Sequence, residues 1–184
     1  VGPDEVGSYR VASQLALLIG VPLIITNSLI APYVSEFVAN KRLVDLHAIL
    51  KNSATLNLVF CSLLFLTLTF FLKDVIGALY GVEFLTALGP CLILSVSQLV
   101  NVSFGPVQML LNMSGREQLI VRTMPYAIVI NVICSVVLIP YLGSIGAAIS
   151  SLLSLSVWNF VLYRYVRQQL DVDCSFFILL PKLR

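Results

Sequence analysis

Charged residues fall in clusters along the chain, separated by long apolar tracts, and the tracts define the expected elements. The first lies between Arg10 and Glu36, the second between Lys51 and Lys73, and the third between Glu83 and Arg116. Each exceeds the roughly 20 residues that cross about 30 Å of hydrocarbon at 1.5 Å per residue. Each therefore predicts one spanning helix. The fourth tract, between Arg122 and Arg164, is about twice the length one crossing needs. A bilayer does not tolerate lipid-exposed irregular backbone, so this tract predicts two helices. Pro140 and Gly143, both poor helix formers, place a short turn in Pro-Tyr-Leu-Gly between them. The expected spans cover about 9–37, 46–72, 86–113, 118–139 and 144–165, with a tail over 166–184.

Polar residues inside these spans carry the next inference. In the third, Gln98, Asn101, Gly105, Gln108 and Asn112 recur at alternating steps of three and four, which on one continuous helix confines them to an arc of about 80°. Asn and Gln can pair across helices in lipid for roughly 0.6 to 2 kcal/mol each. Four amides in register with a glycine exceed what packing alone needs, and the stripe favours a hydrated cavity. Pro106 beside Gly105 predicts a kink, tolerated where the freed backbone group faces protein or water. The first span repeats the pattern more weakly, with Ser13, Gly20 and Asn27 at seven-residue steps and Pro22 as a second kink. On the fifth span Ala147, Ser150, Ser154 and Trp158 share a side, read as a close-packing seam. Asn131 on the fourth span either faces the cavity or bonds a neighbouring helix.

Composition confirms the solvent. With 59% hydrophobic and 11% charged residues and a mean hydropathy of +0.99, the chain lies far from soluble domains, in which roughly a quarter of residues are charged. The fold class is all-α: a polytopic membrane bundle of about five transmembrane helices. Basic residues then orient it. Lys41, Arg42, Lys51, Arg116, Arg122, Arg164, Arg167, Lys182 and Arg184 fall on one side and only Arg10 and Lys73 on the other. The positive-inside rule places the first side in the cytoplasm and the N-terminus outside.

Other chemistry is scarce. No block of interleaved basic and aromatic residues points to nucleic acid. Cys61, Cys91, Cys134 and Cys174 stand singly without metal-binding or redox spacing, and His47 is the lone histidine, so no metal or cofactor is expected. The spans hold no deep Asp, Glu, Lys or Arg for a proton relay, and no HExxH, GxSxG or Walker motif suggests an enzyme. The opening VGPDEVGSYR lacks an initiator Met and a basic leader, so the sequence is expected to be a fragment preceded by further helices.

The order GPDEVGSYRVASQLALLIGVPL, NSLIAPYVSEFVANKR, LYGVEF, NMSGREQL and NVICSVVLIPYLGSIGAAIS resembles the C-terminal portion of a polysaccharide (O-antigen type) flippase. Such flippases belong to the multidrug/oligosaccharidyl-lipid/polysaccharide exporter superfamily. The resemblance implies one lobe of a two-lobed transporter of 12–14 helices, whose N-terminal lobe lies outside this sequence. It also implies a lipid-linked oligosaccharide substrate, carried on undecaprenyl-pyrophosphate across the inner (plasma) membrane by alternating access. A polysaccharide polymerase and a chain-length regulator are implied partners beside the bilayer. The stripe Gln98, Asn101, Gly105, Gln108 and Asn112, with Asn27 and Asn131, would then line the cavity. The cationic groups that such flippases use for pyrophosphate would come from the other lobe or from Arg10 and Arg122. A drug or metabolite exporter of the same superfamily is the alternative, predicting coupling carboxylates. So is a non-transporting membrane component of glycan assembly, predicting a large outer loop.

Overall fold

The computed structural model describes residues 2–170, and every regular element among them is helical. Helix α1 spans Pro3–Ala39, α2 Leu43–Leu79, α3 Leu88–Ser103, α4 Val107–Met113 and α5 Glu117–Leu170, and a 3-10 helix, Val82–Ala87, leads into α3. The predicted tail runs mostly outside these residues: positions 171–184, with Cys174, Lys182 and Arg184, are not among those described. Four segments are long and apolar enough to cross a bilayer: Asp4–Ala39, Leu43–Leu79, Val82–Ser103 and Glu117–Leu170. The chain forms a helical membrane bundle.

The 54-residue helix α5 is a hairpin. Gly143 leaves helical conformation at φ 55° and ψ −131°. Asn131 Nδ2 donates to Ser154 Oγ at 3.1 Å across a separation of 23 residues, which in a straight helix would be about 35 Å. The chain must therefore reverse at Gly143, giving arms 117–142 and 144–170. Gly146 explains how closely the arms meet, since a Cβ there would stand 2.6 Å from the Leu138 carbonyl oxygen. No charge is needed at the turn because the reversal is made by a backbone that only glycine adopts easily.

The third span is broken where a kink was expected. Helix α3 ends at Ser103, Gly105 turns with φ 71° and α4 restarts after Pro106. The break is tolerable at membrane depth because Gly105, Pro106 and Val107 are buried in protein and their backbone groups are paired. Gly105 N donates to Val102 O, Val107 N to Gly105 O and Leu110 N to Pro106 O, each at 2.9 Å. Beyond the break the 100°-per-residue wheel of α3 no longer applies.

Helix α3 packs against α1, α2 and α5, and α4 against α5 and α1. One buried cluster at the end holding the 40–42 and 114–116 turns includes Val34, Leu46, Leu50, Val107, Leu110 and Leu162. A second, at the opposite end, includes Val11, Leu15, Leu72, Ile76, Ala87 and Ala148. The first end carries Lys41, Arg42, Arg116, Arg164 and Arg167, with Arg42 paired to Asp45 at 2.7 Å and Arg116 bonded to Gln169. At the other end the Glu5 carboxylate lies against the Gly143 turn, where a Cβ would meet Oε2 at 2.6 Å. Large apolar side chains point outward along α2 and the first arm of α5, among them Phe60, Phe70, Phe71, Val129, Ile133 and Val136. That distribution suits lipid as solvent.

Candidate functional site: a neutral polar cavity

Four helical segments border an open groove of about 530 Å³, whose lining is mostly apolar and includes the exposed side chains of Leu17, Met124, Ile128 and Val132. Helix α1 contributes Tyr9 and Ser13, α3 Ser97 and Gln98, the first arm of α5 Asn131, and the second arm Ser151, Ser154 and Trp158. The local reasons differ. Tyr9 is held from both sides, its ring against the cluster at the Gly143 end and its hydroxyl 3.0 Å from Ser151 Oγ. Trp158 packs against the cluster at the basic end, so the two aromatic rings mark opposite ends of the space. Asn131 keeps one hydrogen bond, to Ser154, and still borders the cavity. Gln98 lies over Gly20, where a Cβ would come within 2.9 Å of its Oε1. The seven-residue repeat that singled out Gly20 thus marks a place where a side chain of α3 reaches α1.

The lining contains hydroxyls, amides, an indole and apolar groups, and no ionisable side chain apart from the Tyr9 phenol. Such a surface can exchange hydrogen bonds with a neutral polar ligand but offers no counter-charge to an ion.

The structure brings some of the expected residues together and disperses others. Gln98 and Asn131 border the cavity. Asn101, half-buried on α3, and buried Gly105 do not, and Gln108 and Asn112 are exposed on α4 beyond the break. Arg10 and Arg122 are exposed near opposite ends of the bundle, outside the lining. Pro22 stays inside a continuous α1, whereas Pro106 caps α4. Tyr9, Ser97, Ser151 and Trp158 were not anticipated as lining groups. Ser97 beside Gln98 was a legible signal, but aromatic residues in apolar helices carry none of their own.

Asn27 is not among the lining residues and follows Thr26, which makes a polar contact between α1 and α2. Thr26 Oγ1 donates to Asn57 Oδ1 at 2.8 Å, while Asn27 Oδ1 and Asn57 Nδ2 are buried without a partner among the described residues. Asn57 is only 1% exposed. An unpaired buried amide costs about 1–3 kcal/mol, more than the roughly 0.6 kcal/mol of an average interhelical bond in a membrane. Asn57→Leu should therefore raise stability by about 1 kcal/mol. The Thr26 hydroxyl can turn to the Pro22 carbonyl, as Ser13 bonds Tyr9 O and Ser28 bonds Ile24 O. Thermal unfolding in detergent checks this, and a clear loss of stability would show that Asn57 is paired in the membrane.

Comparison with known proteins adds one relative. Over 165 residues the chain is 28% identical to a protein of Haloferax volcanii described as a probable low-salt glycan biosynthesis flippase. The match takes in 88% of this chain and 34% of the relative, so the chain spans about a third of that protein's length. No family model matches the chain, and no solved structure matches it significantly.

Proposed function

We infer that the chain is the second-lobe part of a flippase that moves a lipid-linked oligosaccharide across the cell membrane by alternating access. The observation that carries this is the groove itself: an open, uncharged space in which hydroxyls and amides stand among apolar side chains, bordered by helices whose outer faces are apolar. Sugar hydroxyls entering it exchange water for amide and hydroxyl partners, so their desolvation is compensated. The likeness to a glycan flippase and the order of loop-and-helix motifs point the same way. In this reading the carrier is undecaprenyl-pyrophosphate, the glycan is of the O-antigen type, and the membrane is the plasma (inner) membrane. The basic end, with Lys41, Arg42, Arg116, Arg164 and Arg167, faces the cytoplasm and the Gly143 turn faces outward. The polymerase and chain-length regulator receive the flipped product, and transport requires no covalent chemistry from the chain.

Reconstitution tests the proposal. Full-length protein in vesicles containing a polyprenyl-linked oligosaccharide should make the whole pool accessible to an impermeant glycosidase within minutes. Protein-free vesicles should stop at the outer-leaflet share. Cleavage that stops at the same share with the protein present would refute the flippase reading.

A further inference from the structure

Two apolar clusters are separated by a thin polar layer, and that layer lies beside the break in the third span. On one side of it Leu23 of α1, Cys61 of α2 and Val102 of α3 pack together. On the other side Val34 of α1, Leu50 of α2 and Val107 of α4 do the same, with Ile30 and Ala31 against them. Gly105 and Pro106 fall between Val102 and Val107. Asn27 stands one helical turn from both Leu23 and Ala31, and Asn57 stands one turn from Cys61 and two from Leu50. Both amides therefore sit on the inward faces of their helices at the level of the break. Gly20, one heptad before Asn27, meets α3 through Gln98.

The layer is unevenly satisfied. Thr26 Oγ1 donates to Asn57 Oδ1. Asn57 Nδ2, a donor, and Asn27 Oδ1, an acceptor, are buried without partners among the described residues. The described helices themselves shut these atoms off, so a protein partner has to come from within them.

The break holds a matching pair. Pro106, at φ −82° and ψ 45°, is the centre of an inverse γ-turn, closed by Val107 N–H donating to Gly105 O at 2.9 Å. Opening that turn frees one donor and one acceptor. Asn27 Oδ1 can accept from the first and Asn57 Nδ2 can donate to the second. A buried break can move only where the backbone groups it releases find new partners.

We propose that Asn27 and Asn57 are positioning residues of a hinge at Gly105 and Pro106. Idle in this state, they take over the Val107 N–H and the Gly105 carbonyl when α4 swings against α3. The proposal deepens the alternating-access reading and rests on it for the use of the swing. It gives a reason for two amides at a place where leucine would be more stable, since their partners belong to the other state.

Spin labels at Asn52→Cys on α2 and Asn112→Cys on α4, both exposed positions, report the swing in full-length protein whose native cysteines are replaced by alanine. Distances are recorded by pulsed electron resonance in vesicles, with and without a polyprenyl-linked oligosaccharide. The parent should show two distances in at least one of these conditions. Asn57→Leu and Asn27→Leu should each cut the population of the swung state at least about fivefold, because each removes a hydrogen-bond partner from that state alone. Asn57→Leu should do so while thermal stability rises, a combination that a residue serving only packing does not give. A single distance in the parent under both conditions overturns the proposal. So does an unchanged swung population in either variant, or a loss of stability in Asn57→Leu. Protein that flips substrate in vesicles with any of these results keeps the transport function and loses the hinge. Two distances that respond to both variants in a protein that does not flip keep the hinge and lose the transport reading.

Discussion

On the flippase reading proposed above, exchanging Gln98 and Asn131 together for leucine should slow glycan translocation by at least about 30-fold while leaving the helix bundle folded. The two effects separate because the groups do little for packing. Asn131 loses one interhelical hydrogen bond, to Ser154, worth roughly 0.6 kcal/mol on average in a membrane protein. Gln98 lies over Gly20 at the cavity wall, and leucine is close to it in size. The substrate loses more. Each sugar hydroxyl left without a partner against the apolar part of the groove costs about 1–3 kcal/mol. Two such losses give 2 kcal/mol or more, and each 1.4 kcal/mol is tenfold. The companion variant Gln108→Leu/Asn112→Leu alters side chains exposed on α4 beyond the Gly105 break and should leave translocation within about twofold of the parent. Glycosidase accessibility in vesicles reads both. If the α4 pair stopped translocation and the cavity pair did not, the cavity would be the wrong site.

That contrast also shows what the residue pattern could and could not convey. The membrane class, the long helices and the reversal near Pro-Tyr-Leu-Gly were legible because hydrocarbon thickness and backbone satisfaction leave few alternatives. The five-membered stripe on the third span holds only for a continuous helix. Gly105 and Pro106 were readable as a kink, but the wheel offers no way to see that the register restarts there. Gly105 at φ 71° breaks the rotation, so Gln98 and Gln108 cannot be placed on one face by counting. The cavity was legible only in part because its walls come from segments more than a hundred residues apart. Tyr9 meets Ser151 across 142 positions, and no periodicity encodes such a pairing. Spacing places Trp158 on a packing seam, and it does pack against the basic-end cluster while bordering the groove. One ring serves both, and spacing alone cannot distinguish them.

Gly146→Ala should destabilise the protein by about 1–3 kcal/mol, although in an isolated helix the same exchange stabilises by up to about 1 kcal/mol. The sign turns on what the new methyl group meets. It would stand 2.6 Å from the Leu138 carbonyl oxygen and 2.7 Å from its carbon, with Ile139 N at 3.0 Å. These are backbone atoms of the facing arm and cannot swing aside as the end of a side chain can. The arms of α5 must instead separate near the Gly143 turn, and the displacement passes to Ser150 and Ser154 on the same arm. The Asn131–Ser154 hydrogen bond then lengthens and the wall of the cavity opens, so translocation should fall together with stability. Gly77→Ala is the internal control, because a Cβ at Gly77 meets nothing within 4 Å. It should be neutral or mildly stabilising, as helix propensity alone dictates. Thermal unfolding of the two variants in the same detergent decides the matter. Equal stability for both would mean that the arms of α5 lie farther apart in the membrane, and with that the closure of the cavity between Asn131 and Ser154 would lose its basis.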